Sequence, residues 1–221
     1  MLDLTPTLGR TLLTRLRATG LETQDWWPAD VHTQIRRVYG SILVQQTTWT
    51  SAHKALQNLR AAGVLDQPEL LLQLPITDLT ELVWSAGFHT RKPGYLRSAA
   101  TWLLEHAQDG TDLEDGTLFQ SLTTISGVGP ETAHLIMLST YGRKTFIADA
   151  YARKLFTGVG LVNLPKGYLP LHAFASRFCA DFSHQDFVDF HALKVLFCQA
   201  VARGECTYAD LAIVVPTAMN C

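Results

Sequence analysis

Two short stretches of the chain carry residue types at spacings that can do chemistry. The first is Ile125-Ser126-Gly127-Val128-Gly129-Pro130-Glu131-Thr132-Ala133. Its glycines permit the positive φ of a tight turn and a close backbone approach. Pro130 suits the first position of a helix, where its missing N–H costs nothing. The N–H groups just after the turn then point outward, ready for an anion. The second is Phe146-Ile147-Ala148-Asp149-Ala150-Tyr151-Ala152-Arg153. An aspartate before a helix is most often an N-cap, worth ~1 kcal/mol. After an apolar triplet, Asp149 is expected part-buried at a cleft edge, where a carboxylate can stabilise developing positive charge or activate a water.

Other candidates surround these two. Trp26-Trp27-Pro28 and Trp49 present indole faces, which attract cations but also serve as core or helix-capping residues. His134 and His191 are expected as satisfied core histidines. Cys179, Cys198, Cys206 and Cys221, with 18, 7 and 14 residues between them, fit no compact zinc spacing and are expected as free thiols. Basic pairs and triplets stand at Arg36-Arg37, Arg91-Lys92-Arg97 and Arg143-Lys144. The net charge of −2 weighs against a nucleic-acid partner unless phosphate is held by backbone N–H groups.

The elements that must position these residues read as helices almost throughout. Apolar positions at helical spacing predict helices over 8–18, 30–46, 51–62, 68–74, 77–86, 93–106, 118–124, 131–140, 148–157, 171–182 and 186–203. Residues 159–164 alone could pass for a strand, and Gly160 and Pro165 favour a loop. The fold class is all-α. Hydrophobic residues make up 47% and charged residues 17%, as in a globular chain. No apolar run approaches the ~20 residues of a membrane span. Residues 1–10 lack a signal-peptide pattern, and a cytoplasmic monomer is expected.

Ile-x-Gly-Val-Gly-x-x-Thr-Ala between helices resembles the helix-hairpin-helix, a DNA phosphate-binding element. Asp149 lies eighteen positions after Glu131, across a helix, a short loop and an apolar triplet. The combination resembles the helix-hairpin-helix glycosylase superfamily that includes endonuclease III. Ile42-Leu43-Val44-Gln45-Gln46-Thr47, Ala86-Gly87-Phe88-His89-Thr90-Arg91-Lys92-Pro93 and Phe190-His191-Ala192-Leu193 are similar to further family segments. The resemblance covers roughly residues 26 to 200. It implies a two-lobed helical fold within one glycosylase domain, 1–221. One lobe would hold about 1–30 and 148–221, the other about 31–147 with the hairpin at 122–140, and DNA and the target base would bind between them. It also implies Asp149 as the catalytic residue and Gln46 as a wedge entering the base stack. Lys92, Gly127, Val128, Gly129 and Thr132 would bind DNA, and a monovalent ion could sit on the backbone of Thr123, Ile125 and Val128.

Departures from endonuclease III narrow the expectation. Lyase-competent members place a lysine two residues after Gly-Val-Gly, and this chain has Glu131, which cannot form an imine. The family's iron–sulfur spacing, C-x6-C-x2-C-x5-C, is not reproduced, so no cofactor is expected. Trp26-Trp27-Pro28, Trp49 and Glu131 resemble the bacterial 3-methyladenine glycosylases, in which such residues line the base pocket. That subgroup's pocket lysine is not matched, because Lys194 comes one position later and on a different helical face. The resemblance thus implies a monofunctional glycosylase releasing alkylated purines such as 3-methyladenine from damaged double-stranded DNA. A glycosylase for mispaired or deaminated pyrimidines and a DNA-binding module that does not cut are the alternatives.

Overall fold

A computed structural model of the chain describes residues 6–23, 30–106 and 112–211. Among them lie eleven α-helices, two 3-10 turns and no strand. The helices are α1 (Pro6–Arg17), α2 (Gln34–Leu43), α3 (Trp49–Ala61), α4 (Pro68–Gln73), α5 (Ile76–Leu82), α6 (Lys92–His106), α7 (Asp115–Leu122), α8 (Pro130–Ser139), α9 (Ala150–Gly158), α10 (Tyr168–Phe178) and α11 (His184–Ala202). No helix of the described residues is long and apolar enough to cross a membrane.

The boundaries differ from the sequence expectation for local reasons. The helix expected over 30–46 starts only after Thr33, whose side chain caps the Arg36 amide, and stops at Leu43. Beyond it Gln46 adopts a left-handed φ of 53°, which no helix continues through. The helix expected over 148–157 starts at Ala150, because Asp149 is extended and accepts from the Ala152 amide. The helix expected over 171–182 begins earlier, at Tyr168, since Pro170 is tolerated within a first turn. Residues 159–164 form no strand.

The chain divides into two compact units, Trp27–Gly142 and the combination of Met1–Trp26 with Arg143–Cys221. In the first, α2 packs against α3, α6 and α8. Its core includes Tyr39, Ile42 and Leu43 of α2, Leu56 and Leu59 of α3, Leu96 and Ala99 of α6, and Ile136 of α8. Each such aliphatic chain contributes about 1.5–3 kcal/mol when withdrawn from water. α7 and α8 pack as a helical hairpin around the Gly127–Gly129 turn.

The second unit packs α1 and α9 against α11, and α10 against α1. Its core is aromatic: Phe146 lies 5.6 Å from Phe190 and 5.9 Å from Phe156, and Phe156 lies 5.2 Å from Phe178. Gly9 lets α1 approach α10 backbone to backbone, because a Cβ there would stand 2.1 Å from the Phe178 carbonyl oxygen. Arg10 and Arg17 both reach Asp186 in the first turn of α11, at 2.8 and 2.9 Å. Ser183 and Asp186 form a reciprocal capping box at the start of that helix. The N-terminal helix is thereby fixed against the helix that supplies the site's charges.

Candidate active site

In the unit Trp27–Gly142 the hairpin is built from backbone. Gly127 has a φ of 81°, and a Cβ at that position would stand 2.3 Å from the Tyr95 ring. The position therefore requires glycine twice over. Gly129, the N-cap of α8, is exposed, and nothing lies within 4 Å of the place a Cβ would take. Pro130 opens the helix, and its first N–H groups receive no cap from Gly129. Val128 is buried, its amide donating to the Ile125 carbonyl at 3.0 Å, which fixes the turn. Of the carbonyls expected to hold an ion, that of Ile125 thus already accepts one bond. Gln46 stands exposed in the turn after α2. Beside it, the Gln45 side chain donates to the Gly127 carbonyl at 2.9 Å and to the Thr132 hydroxyl at 3.0 Å.

The other unit holds a compact ionic cluster. Asp149 is 9% exposed, and its Oδ1 accepts from the Ala152 amide at 2.8 Å. Its Oδ2 lies 3.1 Å from Lys194 Nζ. Lys194, 1% exposed, also donates to the Ile147 carbonyl at 2.6 Å and to His191 Nδ1 at 3.1 Å. An ammonium only donates, so His191 Nδ1 must be the unprotonated ring nitrogen. Burial and then the Lys194 charge push the His191 pKa well below 6.5, in keeping with a neutral ring. The Phe146 ring lies 5.3 Å from Lys194 Nζ, and the Phe146 carbonyl is bonded to His172 Nδ1 at 2.7 Å. The apolar triplet before Asp149 is thus pinned through its backbone. Two partners leave lone-pair positions on a carboxylate that can accept about four. A carboxylate held this way can face a developing cation or hold a water.

The HhH-GPD superfamily of base excision DNA repair proteins matches residues 39–194, which include both the hairpin and Asp149. The chain belongs to that superfamily. As a helix-hairpin-helix DNA glycosylase it has relatives in sequence and in structure. A Methanocaldococcus jannaschii protein named as a DNA repair glycosylase is 30% identical over 186 residues, 81% of this chain and 82% of that one. The Helicobacter pylori 3-methyladenine DNA glycosylase MagIII, solved bound to 1,N6-ethenoadenine, is similar with a TM-score of 0.72 at 19% identity. That similarity covers 86% of this chain and 96% of MagIII. Endonuclease III, solved in a non-covalent complex with DNA, gives a TM-score of 0.65 at 15% identity, covering 89% of this chain and 86% of the other. These likenesses establish the all-helical, endonuclease III-like fold.

Several residues of this glycosylase take places the sequence did not indicate. Lys92, expected on DNA, is 1% exposed, and its ammonium donates to the carbonyls of Leu43, Gln45 and Ala86 at 2.7, 2.9 and 2.6 Å. Burial lowers its pKa to about 8. All three protons are used, so the group braces the backbone and has none left for a phosphate. Lys194, out of register with the subgroup's pocket lysine, reaches Asp149 directly. It stands four residues after the buried Phe190, on one face of α11, and its stem spans the remaining distance. His191, expected in the core, is part-buried and belongs to the Asp149 cluster.

Trp49 opens α3, half-buried against the core, with its ring stacked on His53 at 6.4 Å between centroids. Glu131 is exposed in the first turn of α8, a favourable place for an acid. Trp26, Trp27 and Pro28 lie outside the described residues. Cys179 and Cys198 are buried, and burial raises both thiols, Cys179 to about 12. Of the basic groups, Arg36 bridges Asp66 and Arg37 donates to the Ser139 carbonyl, so neither faces open solvent alone.

Proposed function

We propose that this glycosylase hydrolyses the N-glycosidic bond of alkylated purines such as 3-methyladenine in double-stranded DNA and leaves the abasic strand intact. The observation that carries the reading is the Asp149 cluster: a nearly buried carboxylate beside an imidazole held neutral and a fully engaged ammonium.

Cleavage builds cationic character on the deoxyribose, as in other glycosyl transfers. Asp149 would face that charge and orient or deprotonate the attacking water. Neither neighbour is placed to protonate a departing base: His191 is neutral, and Lys194 spends its three protons on Ile147, His191 and Asp149. Such a site suits a base that is already cationic and leaves unaided. An imine-forming amine must be free, whereas Lys194 Nζ is engaged by Ile147, His191 and Asp149, and Glu131 stands where lyases carry lysine. Both features support water as the nucleophile.

Reaching the sugar requires extruding the nucleotide, at a cost of a few kcal/mol. The N–H groups at the start of α8 suit a phosphate, and Gln46 suits the vacated space in the stack. Trp26, Trp27, Pro28 and Trp49 would line the base pocket, their indoles attracting a cationic purine.

The test is to incubate the protein with methylated duplex DNA and to chromatograph the released bases. Free 3-methyladenine with an unbroken abasic strand is the expected result, and borohydride should trap no adduct. Release of uracil or thymine from mispaired duplexes, with methylated DNA untouched, would move the assignment to a pyrimidine glycosylase.

A further inference from the structure

The function above gives tasks to Gln46 and to the hairpin, and none to the residue that joins them. Gln45 sits half-buried between the end of α2 and the Gly127–Gly129 turn. Its side-chain NH2 spends both hydrogens across the gap, on the Gly127 carbonyl at 2.9 Å and the Thr132 hydroxyl at 3.0 Å. A carbonyl can only accept, so the atom facing Gly127 has to be the amide nitrogen. These contacts span 82 and 87 residues of sequence. Gln45's own carbonyl accepts from Lys92 Nζ at 2.9 Å, and the same ammonium holds the Leu43 and Ala86 carbonyls.

The next residue, Gln46, is left-handed and exposed. A glutamine with φ of 53° is strained by about 1 kcal/mol or more and persists only where its surroundings dictate it. Its surroundings here are two anchors: the Lys92 ammonium behind the Gln45 carbonyl, and the hairpin at the end of the Gln45 side chain. The turn itself adds the Gln45 amide to the Ile42 carbonyl at 3.3 Å and the Thr47 amide to the Val44 carbonyl at 3.2 Å.

We propose that Gln45 is a positioning residue that joins the Gln46 turn to the glycine hairpin, making wedge and phosphate grip one rigid element. Phosphate contact at the hairpin then sets where Gln46 enters the duplex, and a fixed register between the two favours extrusion of one nucleotide. The proposal rests on the reading of Gln46 as wedge and the hairpin as phosphate grip.

The full chain is tested as Gln45→Met, which keeps length and loses both donors, and as Thr132→Val, with Thr132→Ser retaining the hydroxyl. Two readouts are used. Amide hydrogen exchange without DNA follows residues 44–48 and 126–132. Fluorescence of 2-aminopurine beside a tetrahydrofuran abasic analogue follows extrusion. Gln45→Met should speed exchange in both segments together and shift the extrusion equilibrium about tenfold toward the stacked state. Affinity for undamaged duplex should stay within about twofold, since the backbone donors of the hairpin remain. Thr132→Val should add little once Gln45 is Met, and Thr132→Ser should behave as wild type. Faster exchange at the Gln46 turn alone, or additive effects of the two substitutions, overturns the proposal. Gln46→Ala serves as the control: if it leaves the fluorescence unchanged, the wedge reading fails while the exchange data still decide the role of Gln45.

Discussion

Lys92 and Lys194 lie in different units, each 1% exposed with all three ammonium protons engaged, yet they are surrounded differently. Around Lys92 all three hydrogen-bond acceptors are neutral backbone carbonyls, and the Phe88 ring lies 5.7 Å from Nζ. The charge is solvated by dipoles, as water would do it, and the result is a brace between the end of α2 and the 3-10 turn before α6. Around Lys194 one carbonyl and one imidazole are joined by a carboxylate, that of Asp149. There the charge is set against another charge, and the carboxylate's second oxygen caps α9. Burial alone does not separate a structural lysine from one in a functional site. The chemistry of its acceptors does.

The larger effect is expected at Lys194. Replacing it with methionine leaves Asp149 nearly buried without its counter-ion, and should cost about 3–5 kcal/mol in urea unfolding. Adding Asp149→Asn should recover part of that loss, because the stranded charge disappears. A Lys194→Met protein as stable as wild type would mean that the pair is not coupled as described. Lys92→Met strands three carbonyls but no opposite charge, so a smaller loss of about 2–3 kcal/mol is expected. Lys92→Met should also leave the salt dependence of undamaged-duplex affinity unaltered. A drop of about one in that slope would return Lys92 to the phosphate contacts.

The smallest effect concerns His191. Its folded pKa lies well below 6.5, so between that lowered value and about 6.5 the unfolded chain binds the extra proton. Stability from the neutral ring is therefore complete above about pH 6.5 and is lost as pH falls toward the folded value. The melting temperature of wild type should decline more steeply from pH 7 to 5 than that of His191→Gln. Parallel declines would show that the ring is not held neutral.

The helical architecture was legible because apolar spacing records which face each helix buries, and Ile125–Ala133 and the residues around Asp149 carry local signatures of turn and cap. Partners of long side chains were not legible. Lys92 counts as polar in any pattern, and nothing local announces that three carbonyls close over it. Lys194 falls out of register with the lysine of similar glycosylases, but register takes no account of a stem that reaches Asp149 across 45 residues of sequence. Nothing local marks Gln45 over its neighbour, because its two acceptors lie 82 and 87 residues away in the hairpin.

Base release is expected to depend on Asp149. Single-turnover release of 3-methyladenine from methylated duplex, measured for wild type beside Asp149→Asn, tests it most directly. The variant should fold, bind undamaged duplex as wild type does, and release base at least about a thousandfold more slowly. Equal rates from the two proteins would show that the carboxylate does not face the reacting sugar.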